Sequence, residues 1–241
     1  MNKELKEIID NSDNVVFFGG AGVSTESNIP DFRSDQGLYN AKSEYGKSPE
    51  DMISHSFYVR NTETFYKYYK KNLIHREAKP NKAHIALAEL EAVGKVKAVI
   101  TQNIDGLHQL AGSKEVYELH GSVLRNYCIK CGEFHDLEYI MNEDNCENGV
   151  PKCSKCGSIV KPDVVLYEEP LFESVINGAV SSIMSADTLI IGGTSLVVYP
   201  AAGLITYFKG KNLVLINKSK TPYDNKADLV INDSIGKVMG D

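Results

Sequence analysis

Four of the five cysteines form two pairs, Cys128-Ile129-Lys130-Cys131 and Cys153-Ser154-Lys155-Cys156, each followed by a glycine and separated by 21 residues. That gap is slightly longer than the usual double-pair spacing of a zinc site. A C-x-x-C-Gly turn makes a tight knuckle whose N–H groups can face the sulfurs. Four thiolates fill a tetrahedral zinc site with no open position, so the metal expected on Cys128, Cys131, Cys153 and Cys156 is structural. A redox motif needs only one such pair, which argues against thiol exchange. Cys146 is left over and is read as unliganded. The odd count and the charged start, Lys3-Glu4-Leu5-Lys6-Glu7, in place of an export signal point to metal in a reducing cytoplasm.

Other polar groupings each follow a short apolar run. Gly20-Ala21-Gly22-Val23-Ser24-Thr25 comes after Val15-Val16-Phe17-Phe18. Glycines there let the backbone turn tightly and bring N–H groups to a pyrophosphate. The third glycine of a dinucleotide fingerprint is absent, with Thr25 in its place, and by itself the segment fits an ordinary strand-to-helix turn equally well. A helix starting near 23 cannot pass Pro30. Asp31, Phe32 and Arg33 then follow at close range, and Arg33 is one of only four arginines. Phe32 can cover a reactive ring and Arg33 can meet a phosphate; otherwise they are a core phenylalanine beside a surface arginine.

Thr101-Gln102-Asn103-Ile104-Asp105-Gly106-Leu107-His108 follows Val96–Ile100, and offers amides and a carboxylate to a ribose or carboxamide. Alone, it reads more simply as an Asx-rich turn capping a helix. His120 follows Val116–Leu119 in the same topological position and is the best placed of six histidines to act as a general base. His84 and His108 fall in helical patterns and are read as structural. Thr194 and Ser195 follow Thr188–Ile191, and Asn217 ends Leu213–Ile216, where hydroxyls and an amide suit an adenosine ribose.

The elements that must position these groups alternate. A helix is expected over 3–11, and another after Pro80 from Ala83, Ala86, Leu87 and Leu90 up to Gly94. Continuous apolar runs are typical of parallel strands buried on both faces. They mark 15–18, 96–100, 116–119, 163–167, 188–191 and 213–216. The expected fold is α/β, a Rossmann-like doubly wound parallel sheet. Two insertions break the alternation and are expected to pack together beside the sheet. Residues 34–79 are tyrosine-rich and helical in their second half, and 125–160 hold the cysteines. Hence 1–33, 80–124 and 161–241 are assigned to the large domain, with a helical module (34–79) and a zinc module (125–160) forming the small one.

Composition sets further limits. With 42% hydrophobic and 24% charged residues, the 241-residue chain is ordinary globular protein. A net charge of −6 argues against a protein that grips phosphate backbones. Residues 188–208 are 21 uncharged positions, long enough to span a membrane, but Gly192-Gly193 and Pro200 make them a strand, a turn and a helix start instead.

Taken together, GAGVSTESNIPDFR (20–33), TQNIDGLH (101–108), HG (120–121), the cysteine pairs, KPDVVLYEE (161–169), GTS (193–195) and IN (216–217) resemble the sirtuin family of NAD-dependent protein deacylases, most of all its short bacterial members. The resemblance covers nearly the whole chain. It implies NAD as co-substrate, one structural zinc, and a cleft between the domains. Gly20, Ala21, Gly22 and Thr25 would then line the pyrophosphate site, and Phe32 and Arg33 a loop over the nicotinamide ribose. Gln102, Asn103, Ile104 and Asp105 would shape the ribose and nicotinamide pocket, with Asn103 and His120 catalytic. Thr194, Ser195 and Asn217 would hold the adenosine half, with Ile235 near the adenine.

Val164–Glu169 would pair with substrate as an added strand, Val165 lining the acyl-lysine tunnel beside Tyr167 and Glu168. Many relatives have glycine where this chain has Glu168, whose carboxylate would favour substrates with basic flanks. Family members that prefer succinyl-lysine share a Tyr-x-x-Arg pair; here the positions are Tyr66 and Tyr69. The activity implied is lysine deacetylation releasing nicotinamide and O-acetyl-ADP-ribose. A mono-ADP-ribosyltransferase or NAD glycohydrolase would use the same site. The expected partners are acetyl-lysine proteins or peptides, not nucleic acid or membrane, met by a cytoplasmic monomer.

Overall fold

The computed structural model describes residues 1–31, 42 and 44–240. Its centre is a parallel sheet of six strands: β1 (Val15–Gly19), β2 (Val96–Thr101), β3 (Val116–Glu118), β9 (Thr188–Gly192), β10 (Asn212–Ile216) and β11 (Leu229–Ile231). The order across the sheet is β11-β10-β9-β1-β2-β3. Side chains alternate between faces along a strand, and both faces are covered. Val15 and Phe17 of β1 join Leu5, Ile9, Ala83, Leu87 and Val238 from helices Lys3–Asp10, Lys82–Ala92 and Ile235–Met239. Val16 and Phe18 join Ala179 and Ile183 of helix Glu173–Ser185 on the other face. Double burial is why β1 and β9 read as unbroken apolar runs.

A third apolar cluster lies apart from these two. It draws Met52, Phe57, Phe65, Tyr66 and Tyr69 from the helical segment and Val123, Ile140, Val150, Val160, Val164 and Leu166 from around the cysteines. The helical segment contains Pro49–Met52, His55–Arg60 and Thr62–Asn72; Ser48 and Ser54 cap the first two. The cysteine segment is built on a sheet ordered β5-β4-β8, from β4 (Gly121–Cys128), β5 (Phe134–Asp136) and β8 (Val160–Val164). The short pair β6 (Cys146–Glu147) and β7 (Val150–Pro151) lies beside it.

Two expectations change, and one strand carries no mark in the sequence. The strand expected at 163–167 is instead β8, antiparallel to β4 and outside the parallel sheet. Its true signal is the alternation Val160, Pro162, Val164 buried against Lys161 and Asp163 half-buried, which the apolar run Val164-Val165-Leu166 obscures. The turn after β1 holds two 3-10 turns, Ala21–Val23 and Thr25–Ser27, in place of a helix start, ending at Asn28 with φ +61° ahead of Pro30. The edge strand β11 is three half-buried residues with no run long enough to mark it. Residues 188–208 form β9, a loop and a 3-10 segment (Ala201–Tyr207), and among the described residues no helix is long and apolar enough to cross a membrane.

Candidate active site

From β1 the parallel sheet is extended on one side by β2 and β3 and on the other by β9, β10 and β11, so the strand order reverses between β1 and β9. Ligands of open α/β sheets bind at such a switch point, outside the carboxyl ends of the strands. Gly19 is level with Thr101 on one side and Gly192 on the other, so the loops beginning at Gly20, Gln102 and Gly193 share one edge. Gly22 N–H donates to the Gly193 carbonyl at 2.8 Å. A Cβ on Gly22 would sit 2.7 Å from Gly193 Cα, and Gly193 has φ +60°. Backbone touches backbone, leaving a floor free of side chains, which suits a dinucleotide pyrophosphate. Thr25 Oγ1 donates to Gly22 O at 3.0 Å and steadies that loop.

Gln102 and Asn103 are tied into the glycine loops. Gln102 Nε2 donates to Thr194 Oγ1 at 3.1 Å, and Asn103 Nδ2 to Ser24 Oγ at 3.0 Å. Ser24 in turn donates to Asp105 Oδ2 at 2.7 Å, and Leu107 N–H donates to Asp105 Oδ1 at 2.9 Å. Ser24 is buried and joins Asn103 to Asp105, a role the sequence reading missed. Its only sequence signal is its place inside the glycine-loop motif. Ile104 packs partly against the third cluster, and its carbonyl accepts from Val123 N–H at 3.0 Å.

His120 stands between β3 and β4. Its Nδ1 lies 2.8 Å from the Gln102 carbonyl oxygen. A carbonyl can only accept, so Nδ1 carries the proton and Nε2 keeps its lone pair, the tautomer of a general base. Burial holds the imidazole below its ordinary value, against the Gln102 carbonyl, which favours the protonated ring. The next residue must be glycine: Gly121 has φ +74°, and a Cβ there would meet Asp163 O at 1.9 Å. The His120 carbonyl accepts from Val165 N–H at 3.0 Å, fastening the 164–169 segment beside the imidazole.

The remaining expected residues divide. Val165 and Tyr167 are half-buried and Glu168 is exposed on that segment. Ser195 is exposed, while Asn217 is half-buried with Nδ2 donating to Ser219 O at 2.8 Å. The Ile235 side chain lies in the core, where it fills the space beside Gly192. Phe32 and Arg33 lie outside the described residues. His84 and His108 are fully buried with ring centroids 4.7 Å apart. Burial, with His84 beside it, lowers the His108 pKa to about 3, so it stays a neutral core residue.

The four paired cysteines converge, with all Sγ atoms within 4.8 Å of one another. Sulfurs about 2.3 Å from a tetrahedral zinc would be separated by just under 4 Å. The contacts Cys128–Cys156 at 3.4 Å and Cys131–Cys153 at 3.6 Å come close to this. Gly132 and Gly157 close the knuckles with φ +69° and +70°, their N–H groups donating to Cys128 O and Cys153 O. The thiols are placed to hold a structural zinc. Cys146 stands outside them, its Sγ 3.3 Å from Lys70 Nζ.

Comparison with known proteins agrees with this geometry. The model of the Sir2 family matches residues 20–200. The chain is 68% identical over 238 residues to an NAD-dependent protein deacetylase of Clostridium perfringens, covering 98% of this chain and 96% of that protein. A solved complex of Sir2 with a p53 peptide and NAD+ superposes with a TM-score of 0.85 at 38% identity, covering 98% of this chain and 94% of the other. A complex of a related Sir2 enzyme with a propionylated peptide gives the same TM-score, identity and coverage.

Proposed function

Because the chain belongs to the Sir2 family, we infer that the edge of its parallel sheet is the working site of an NAD-dependent protein deacetylase. The observation that carries this is the Nδ1 bond of His120 to the Gln102 carbonyl, which leaves Nε2 of a neutral imidazole as the base beside the Gln102 loop, itself tied to Thr194 at the glycine floor. NAD supplies an anomeric carbon whose bond to nicotinamide is broken and to which the acyl oxygen of the lysine side chain is joined. In this reading His120 Nε2 accepts a proton from a ribose hydroxyl. Asn103 and Asp105, braced through Ser24, with Gln102 and Ile104, orient the ribose. Gly20, Ala21, Gly22 and Thr25 take the pyrophosphate, with Phe32 and Arg33 over the nicotinamide ribose. Thr194, Ser195 and Asn217 take the adenosine, with Ile235 beneath it. Incubation with NAD and an acetyl-lysine peptide is expected to release nicotinamide and deacetylated peptide in equal amounts. Nicotinamide release with no deacetylated peptide would overturn the reading in favour of glycohydrolysis.

The domain division given from sequence is retained as part of this proposal: 1–33, 80–124 and 161–241 against 34–79 with 125–160. The separate third cluster supports it. The protein is further proposed to be a cytoplasmic monomer acting on proteins and peptides, not on nucleic acid or membranes. Its charge of −6 supports the exclusion of nucleic acid, and its unpaired, metal-spaced cysteines support the reducing compartment.

The acid limb of activity follows from His120. Its pKa lies below the ordinary 6.5, so the base form persists below that pH. The half-maximal point on the acid side of a plot of kcat/KM against pH is therefore expected to lie below pH 6.5. A limb centred at about pH 7 or above would contradict the burial argument.

Acyl preference follows from the helix Thr62–Asn72. Tyr66 and Tyr69 are fully buried, and burial, with Asp163 nearby, raises the Tyr69 phenol far above its ordinary range, so it stays neutral. Lys67 is exposed on another face, and Lys70 bonds Glu143. None of these places a cation beside Tyr69, and an unpaired carboxylate in an apolar tunnel is strongly disfavoured. The kcat/KM for a succinyl-lysine peptide is expected to be lower than for its acetyl counterpart by about tenfold or more. Equal efficiencies would refute this.

A further inference from the structure

Tyr167, in the segment proposed to receive substrate, has both backbone groups engaged: its N–H donates to Ile53 O at 3.1 Å and its C=O accepts from His55 N–H at 2.9 Å. One edge of the segment is thus zipped to residues 53–55, at the start of helix His55–Arg60. The next residue, Glu168, has φ +76°. That conformation strains a residue with a Cβ and is the usual place for glycine. Glu168 is exposed, so packing does not explain its side chain.

Hydrogen bonding does explain it. The Glu168 carboxylate accepts from Ser56 N–H at 2.8 Å and from Ser56 Oγ at 2.9 Å. Ser56 lies in the first helical turn, where N–H groups lack intrahelical partners. The adjacent Glu169 makes a second tie, to His55 Nδ1 at 2.8 Å on one oxygen and to Lys161 Nζ at 3.1 Å and Leu166 N–H at 3.0 Å on the other. The Ser56 N–H and hydroxyl, with His55 and Arg60 nearby, hold the Glu168 carboxyl below its ordinary range. The carboxylate stays charged, and both of its oxygens are committed to Ser56 at the start of a helix, the place of an anchor rather than of a free charge for a basic flank.

We propose that Glu168 is a positioning residue for the peptide-binding edge: its bonds to Ser56 hold a left-handed turn residue in place so that residues 165–167, just before it, meet substrate as a preformed edge. This rests on the deacetylase reading and deepens it. Ordering the edge in advance removes part of the cost of binding, so the effect belongs in peptide KM and not in the bond-breaking step.

The test uses the full zinc-loaded chain with Glu168→Gly, which suits φ > 0 but removes the anchor, and Ser56→Ala, which removes one bond and keeps the charge. Glu168→Gly is expected to raise the KM for an acetyl-lysine peptide by about 5–10-fold with kcat within about twofold, and Ser56→Ala to raise it by about 2–4-fold. Peptides with basic and with neutral flanks should be affected by the same factor. Amide hydrogen exchange at His55 and Tyr167 should accelerate in both variants. Unchanged KM and exchange, or a Glu168→Gly effect confined to basic-flanked peptides with none in Ser56→Ala, would overturn the proposal. A wild-type protein that fails to deacetylate would instead sink the functional reading, and the exchange rates would still decide the anchor.

Discussion

Replacing His120 with alanine is expected to lower deacetylation about 10²–10⁴-fold, the usual contribution of a positioned general base. The loss should fall on kcat and kcat/KM together, because the imidazole is needed in the transition state and not to hold NAD. The fold should survive. His120 is half-buried, and its side chain donates to the Gln102 carbonyl. The tie to the 164–169 segment runs through the His120 backbone carbonyl, which alanine keeps. Zinc content and NAD affinity should therefore match the wild type, separating lost chemistry from lost structure. A well-folded variant with near-wild-type turnover would remove His120 from the role of base.

The strands that carry the site were readable because each is buried on both faces, so Val15–Phe18 and Thr188–Ile191 leave no polar interruption. The same cue misled at 163–167. There Val164 and Leu166 are buried in a different core, and the antiparallel partner Gly121–Cys128 is invisible without the tertiary fold. Cysteine spacing announced the metal cluster because a chelating knuckle is local. Ser24 was not legible, since its meaning depends on Asp105, 81 residues away. Glu168 was legible as a departure from the family glycine, but its φ and its tie to Ser56, 112 residues away, were not. The sequence placed its charge beside substrate; the fold turns it toward a helix start. The expectations for Phe32 and Arg33 fall outside the described residues.

Removing zinc is expected to unfold the cysteine-bearing sheet while the parallel sheet persists. Cys128 ends β4, and with Cys153 it belongs to the third apolar cluster. Apolar packing holds the rest of the module weakly: Ile129, between the first two ligands, is 58% exposed and Phe134 of β5 is 53% exposed. Structural zinc in small peptides is bound with about 10–16 kcal/mol, comparable to the total stability of a domain at about 5–15 kcal/mol. Four thiolates leave no position for a metal-bound water, so the metal acts through the fold. Metal analysis should give one zinc per chain. Chelation, or Cys153→Ala, should abolish zinc binding, speed amide exchange across β4, β5 and β8, and spare β1 and β9. Activity should fall as well, because β8 leads into the segment fastened to the His120 carbonyl. Cys146→Ala should keep both zinc and stability, since that thiol stands outside the cluster. A Cys153→Ala protein that retains a full zinc equivalent and the wild-type melting temperature would contradict the assignment, because three remaining thiols cannot close the tetrahedron.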